Sequence, residues 1–196
     1  MGGLSDVKHK KLLYHLTSLD NIESIILNGI VSRASLIDMR VGFYDVANVQ
    51  IMNKRTTLGL DKYVPFHFHP YSSFDVAVKR LHPDKNFLYL CVQRSFAEQN
   101  QFLILPKHPL STEECVLYKY DRGFDMVDWD VMSQPGNDEY SKQVKMAECL
   151  SQRRVPMSCI NQIIVRDDRT KRIVEEKFQT LGIPFSPPYI NVQNLF

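Results

Sequence analysis

The chain has no excess of charge of one sign, no paired cysteines, no glycine fingerprint and no long apolar run. Each absence removes a class of protein. With 24 basic and 22 acidic residues among 196, the net charge is +2. So balanced a chain is not compelled to bind nucleic acid over its whole surface, although a local basic groove is compatible with it. The four cysteines, at 91, 115, 149 and 159, form no Cys-x-x-Cys pair and stand clear of any histidine pair at zinc spacing. Each therefore reads as a small apolar core residue in a reducing compartment, rather than a metal ligand or half of a disulfide framework. The eight glycines compose neither a dinucleotide-binding GxGxxG nor a P-loop. No apolar run reaches the roughly 18 residues that cross a bilayer, and residues 1–11 contain no apolar signal core. A cytoplasmic protein with no membrane partner is the expectation. No repeat and no low-complexity tract is visible.

What is present suits one domain, 1–196, because a hydrophobic fraction of 44% is ample for a single core. Strands are expected at 12–16, 63–68, 87–92, 102–105 and 160–165. Helices are expected at 22–28, closed by Asn28-Gly29, at 34–40 and 48–54, from Ser72 or Ser73 to 79, and at 170–181, ending at Gly182. A helical turn fits 95–101, residues 112–120 suit either helix or strand, and 189–192 suit a closing edge strand. Two stretches resist assignment. Residues 33–60 are polar and lack a clean period, and connections of that length are usually functional. Residues 121–141, with Ser133-Gln134-Pro135-Gly136-Asn137-Asp138, are dominated by turn formers. Short strands among modest helices, without regular βαβ alternation, make an α+β fold.

Three polar stations sit in apolar settings. His15, in Tyr14-His15-Leu16-Thr17, reads either as a hydrogen-bonded core histidine or as a donor that fixes a ribose or an amide. Thr17, two residues on, shares its strand face. Arg55, in Asn53-Lys54-Arg55-Thr56, reads either as a solvated basic turn or as a guanidinium that binds a diphosphate bidentately. Glu148, in Met146-Ala147-Glu148-Cys149-Leu150, needs a partner if buried. The partner is an ion-pair residue such as Arg153 or Arg154, or else the carboxylate works at an anomeric carbon as base or cation stabiliser. His67 and His69 alternate with Phe66 and Phe68 but have no third ligand, so a pocket lining is preferred to a metal site. Trp129, Tyr140, Lys142 and Lys145 suit either a solvated loop with one packed indole or a platform that stacks and charge-pairs single-stranded nucleic acid.

Taken in order, these motifs resemble the DarT family of DNA ADP-ribosyltransferases, the toxins of bacterial toxin–antitoxin pairs. The likeness runs from Tyr14-His15-Leu16-Thr17-Ser18 through Asn28-Gly29-Ile30, Asp45-Val46-Ala47, Gln50 and Lys54-Arg55. It continues through Gly59 and Tyr63-Val64-Pro65-Phe66 to Met146-Ala147-Glu148-Cys149-Leu150, Val155-Pro156 and the 160–165 strand. The resemblance implies the ADP-ribosyltransferase fold, a split antiparallel β-core with peripheral helices, and NAD as co-substrate with no metal. It implies Glu148 and Arg55 as catalytic, and His15, Thr17, Arg33, Tyr44 and Arg55 on NAD, with 33–55 covering it. It further implies 121–147 as the substrate-recognition loop, a base of single-stranded DNA as target, and a monomer countered by a macrodomain or NADAR-type hydrolase. A raised Glu148 pKa would suit it as a base. His67-Phe68-His69, Gln99-Asn100 and Lys107-His108-Pro109-Leu110 depart from the thymidine-modifying pattern, so guanine stays open beside thymine. Met146, two before the glutamate, fits a nucleic-acid target. The alternatives are transfer to RNA or protein, NAD hydrolysis, or an inactive nucleic-acid-binding module in which Arg55 and Glu148 form a structural ion pair.

Overall fold

The apolar run from Phe87 becomes β3 (Phe87–Gln93), with six of its seven residues buried, as a strand covered on both faces requires. It lies between β1 (Leu12–Ser18) and β7 (Gln162–Val165), antiparallel to both. A computed structural model describes residues 6–47, 49–108, 115–183, 187–193 and 195. Beyond β1 come β2 (Val64–His67), β6 (Glu148–Ser151), β4 (Leu103–Leu105) and the short β5 (Tyr118–Lys119), all antiparallel to their neighbours. The other edge is β8 (Tyr189–Val192), which runs parallel to β7. The eight strands are thus ordered β5-β4-β6-β2-β1-β3-β7-β8.

The sheet is not evenly paired. β1 and β3 run in register over seven residue pairs, but β1 and β2 share a single one, Tyr14 with His67. Pro65, in the middle of β2, has no N–H to offer a ladder. The sheet therefore opens between β1 and β2, which is the split that the functional cleft occupies.

Helices cover the sheet where the sequence has an apolar stripe. α1 (Ile22–Asn28) buries Ile22, Ile25 and Ile26. It ends at Gly29, whose φ is 75°, and a Cβ there would lie 2.5 Å from the Val155 carbonyl oxygen. Only glycine accommodates both demands. α4 (Ser73–Leu81) begins with a reciprocal capping box between Ser72 and Asp75. α5 (Arg94–Gln99) follows β3, and α9 (Asp168–Thr180) follows β7 and buries Val174 and Phe178. By contrast α2 (Arg33–Asp38) and α3 (Val49–Thr57) contain no buried residue.

The expected elements are found within a few residues of their predicted limits, with one large exception. Residues 121–141 are not an irregular loop but three short helices: α6 (Tyr120–Met126), α7 (Trp129–Ser133) and α8 (Glu139–Lys145). Two aspartates that read as turn formers are N-caps: Asp128 accepts from the Val131 N–H and Asp138 from the Ser141 N–H. Helices of five to seven residues are too short to display a period, and tertiary packing holds them. Of the ambiguous 112–120 stretch, 118–119 is strand and Tyr120 opens a helix, while 112–114 lie outside the described residues, as does Asn48 of the expected 48–54 helix. All four cysteines are free, but only Cys91 and Cys149 are buried; Cys115 and Cys159 are half-buried. Among the described residues no helix is long and apolar enough to cross a membrane.

Candidate active site

The cleft encloses about 1260 Å³, counting its solvent-open mouth, and is walled by β1, β2, β6, α2, α3 and the 39–47 connection. His15 spans the gap in the sheet: its Nδ1–H donates to the Pro65 carbonyl at 2.8 Å. Burial pushes its pKa down to about 4. The ring is therefore neutral, with its proton on Nδ1, and Nε2 keeps its lone pair. This corrects the reading of His15 as a donor toward a ligand, because the available nitrogen is an acceptor. Thr17, on the same strand, accepts from Asn21 Nδ2 at 3.1 Å. Asn21 in turn clamps the Tyr44 backbone from both sides: Nδ2 donates to its carbonyl at 2.9 Å and Oδ1 accepts from its N–H at 2.7 Å.

The rim is fixed by two further polar ties. Arg33 Nε donates to Asp45 Oδ2 at 2.7 Å, while the Ala47 N–H donates to Asp45 Oδ1 at 3.1 Å. The Tyr44 hydroxyl lies 2.7 Å from His82 Nδ1. Its hydroxyl is thus engaged, and the Lys85 ammonium lies 4.7 Å from its ring centre, while the residue still lines the cleft.

Glu148 opens β6 and stands opposite His67 on β2 and Leu105 on β4. One terminal nitrogen of Arg55 donates to both its carboxylate oxygens, at 2.6 and 2.9 Å. The Glu148 side chain is 5% exposed and that of Arg55 14%. Burial would raise the Glu148 pKa, but Arg55 and then the His67 ring more than offset it, and the carboxyl lies below its ordinary value. The expectation of a raised pKa is corrected accordingly: the carboxylate is buried and charged because a guanidinium holds it so. Its partner is neither Arg153 nor Arg154, which follow the opposite end of the strand. Arg55 and Glu148, read along the sequence as separate stations and in one alternative as an ion pair, meet.

Two histidines complete the floor. His67 Nδ1 lies 3.2 Å from the Ala147 carbonyl. His108, whose backbone N–H donates to the Gln143 carbonyl at 3.0 Å, has its pKa pushed down to about 4, chiefly by burial. His108, noted along the chain only as part of the departing Lys107-His108-Pro109-Leu110 stretch, is not singled out there as a site residue; it follows β4, which pairs with β6. His69 turns its Nδ1 to Pro70 instead. Among the described residues no three metal-ligating side chains come together.

The nucleic-acid candidates divide. Trp129 is 8% exposed; its indole N–H donates to the Phe124 carbonyl at 2.8 Å and its ring packs edge-on against Phe68 at 5.1 Å. It belongs to the core and cannot offer a stacking face. Lys145 is 8% exposed and donates to the Gly136 carbonyl at 3.1 Å. Tyr140 is 43% exposed, with the Lys107 ammonium 4.9 Å from its ring centre, and Lys142 is half-buried.

A split, mostly antiparallel sheet with a buried glutamate on a strand of the cleft defines an ADP-ribosyltransferase fold. The structure of a DarT from Thermus sp. 2.9 in complex with ADP-ribosylated ssDNA matches with a TM-score of 0.79 at 18% identity, covering 93% of this chain and 94% of that one. The same protein in complex with NAD+ matches with a TM-score of 0.75 at 16% identity over 93% and 95% of the two chains. Thermosipho africanus DarTG in complex with ADP-ribose matches with a TM-score of 0.76 at 21% identity, covering 94% of this chain but 50% of that one. No curated protein sequence matches significantly. A family model described as ssDNA thymidine ADP-ribosyltransferase, DarT, matches residues 14–196, and the chain belongs to that family.

Proposed function

We propose that this chain transfers the ADP-ribosyl group of NAD to thymine in single-stranded DNA, with Glu148 as its catalytic carboxylate. The observation that carries the reading is the gathering of His15, Thr17, Arg33, Tyr44, Arg55 and Glu148 around one cleft that opens between β1 and β2; the Arg55–Glu148 pair alone would equally suit an inactive module. Family membership supports the reaction and the base. The neighbouring structures hold NAD+ and ADP-ribosylated ssDNA, which supports the two substrates.

The chemistry follows from the charges. The bond from the anomeric carbon to nicotinamide breaks with its electron pair going to the leaving nitrogen, through an oxocarbenium-like state. An ionised Glu148 stabilises that cation electrostatically. A base nitrogen then gives its electron pair to the anomeric carbon. The nitrogen becomes positively charged and strongly acidic as the bond forms, so a carboxylate of low pKa suffices to take its proton. Arg55 keeps Glu148 ionised. Were it to leave for the diphosphate, Glu148 would be stranded, so Arg33 on the rim is the better phosphate ligand. His15 Nε2 and Thr17 accept from the sugar or the carboxamide, and the Tyr44 ring packs against the bound dinucleotide. Tyr140 and Lys142 remain as DNA contacts. The protein acts as a cytoplasmic monomer, and its partner is an antitoxin that hydrolyses the base-linked ADP-ribose.

The test is incubation with labelled NAD and single-stranded oligonucleotides, beside duplex, RNA and protein. Label on thymine, identified by mass spectrometry of the digested nucleosides and absent with Glu148→Gln, is the expected result. Label on guanine would move the base assignment. Nicotinamide release without labelled acceptor would make the protein a hydrolase. Intact NAD with folded protein would make it a binding module.

A further inference from the structure

A second, smaller cavity of about 520 Å³ adjoins the cleft and shares Val31 and Ser32 with it as a common wall. Its lining includes Asn28, Ser35, Gln152, Arg153 and Arg154, and no carboxylate. The two arginines are exposed and make no ion pair among the described residues. Elsewhere Arg33 and Arg55 are each matched to an acid in the cleft. Residues 151–155 are nonetheless well anchored. The Ser151 hydroxyl donates to the Arg153 carbonyl at 2.7 Å and accepts the Arg153 N–H at 3.3 Å. The next residue but one, Val155, bridges Ile30 in both directions. Two adjacent cations are therefore held at fixed backbone positions beside polar side chains, with no counter-charge among the described residues.

We propose that this cavity is a backbone-phosphate site for the single-stranded substrate, with Arg153 and Arg154 as its ligands. The inference rests on the reading of the main cleft as the transferase site. Arg154 is six residues beyond Glu148, at most about 20 Å at roughly 3.3 Å per residue. That is a distance a strand covers within a few nucleotides of the reacting base. A forked, permanently charged guanidinium suits phosphate oxygens. Val31 and Ser32 line both, so the cavity lies immediately beside the cleft.

The experiment is fluorescence anisotropy of a labelled single-stranded oligonucleotide at several NaCl concentrations, for wild type and Arg153→Ala/Arg154→Ala. The same proteins are assayed for transfer, and inorganic phosphate and thymidine 5′-monophosphate are titrated as competitors. Each lost phosphate contact on a single strand lowers the slope of log K against log salt by about 0.7. The expected result is a slope lower by about 1.4 and a raised KM for DNA, with the KM for NAD unchanged. An unchanged slope and KM would overturn the proposal. So would phosphate or the mononucleotide binding at this cavity, seen as binding lost in the variant, while oligonucleotide affinity stays the same, since the site would then serve a free phosphate compound. Because anisotropy reads binding directly, a wild type that binds DNA but labels none would count against the transferase reading and leave this site standing.

Discussion

Replacing Arg55 by alanine leaves Glu148 in place with 5% of its side chain exposed and its principal counter-charge gone. Two hydrogen bonds, at 2.6 and 2.9 Å, disappear with it. Removing one partner of a buried pair costs about 3–5 kcal/mol, most of it the penalty on the charge left behind. For a protein of this size that is a fall in Tm of about 6–20 °C. The loss also depends on pH. In the wild type the folded Glu148 lies below its ordinary 4.5. Its contribution is therefore fully present above that pH and disappears as pH falls through the folded value. Without Arg55, burial is opposed only by the His67 and His108 rings, and the carboxyl is expected to move above its ordinary value, so the variant should lose stability as pH rises through the raised value. The gap between the two proteins should be widest near pH 7–8 and close toward pH 4.5, read by thermal unfolding across that range. Arg55→Ala/Glu148→Gln should recover part of the loss at neutral pH. A gap below about 1 kcal/mol at every pH, the size of a solvent-screened surface pair, would refute the account of a buried carboxylate held ionised by its guanidinium.

Further outcomes follow from other parts of the molecule. Gly29→Ala meets both a positive φ and a contact at 2.5 Å, whereas Gly59→Ala meets a φ of 67° with nothing within 4 Å. Chemical denaturation should show the first to be the more destabilising, with the second near the 1–2 kcal/mol of left-handed strain alone; equal losses would sink the close-approach argument. Trp129→Ala should destabilise the fold by about 3–5 kcal/mol, as core truncations do, while folded variant keeps wild-type affinity for single-stranded DNA; a selective loss of DNA binding would return the indole to the interface. His15 and His108, both lowered to about 4, should keep the ring chemical shifts of neutral imidazole from pH 8 to about pH 5 in an NMR titration. A midpoint near 6.5 for either would contradict its burial.

The strands were legible because the apolar runs at 87–92 and 160–165 are buried and leave little else for such sequences to do. α1 and α9 were legible because Gly29 and Gly182 close them. Glu148 and Arg55 stood out as polar residues in unusual settings, but one residue's setting says nothing of which distant residue it will meet. They are 93 positions apart, and only the fold brings them together. The same limit hid His108, delivered to the floor by β4 pairing with β6. It misplaced Trp129 and Lys145 because a tryptophan near lysines looks the same whether it packs inward or outward. The tie of His15 to Pro65 was beyond reach for a further reason: the proline marks a missing donor in the ladder, but not which side chain will bond across the gap it leaves.

α2 and α3 bury no side chain, yet with the connection between them they wall the cleft. The segment hangs chiefly on Asn21, Asp45 and Glu148, with Val46 packed against the apolar core. Arg55 apart, whose loss strands Glu148, substitutions along it are expected to act on how tightly the dinucleotide is gripped, at little expense to the folded state. Co-substrate affinity and thermal tolerance become separately adjustable properties of one small domain, free to drift or be engineered along different residues.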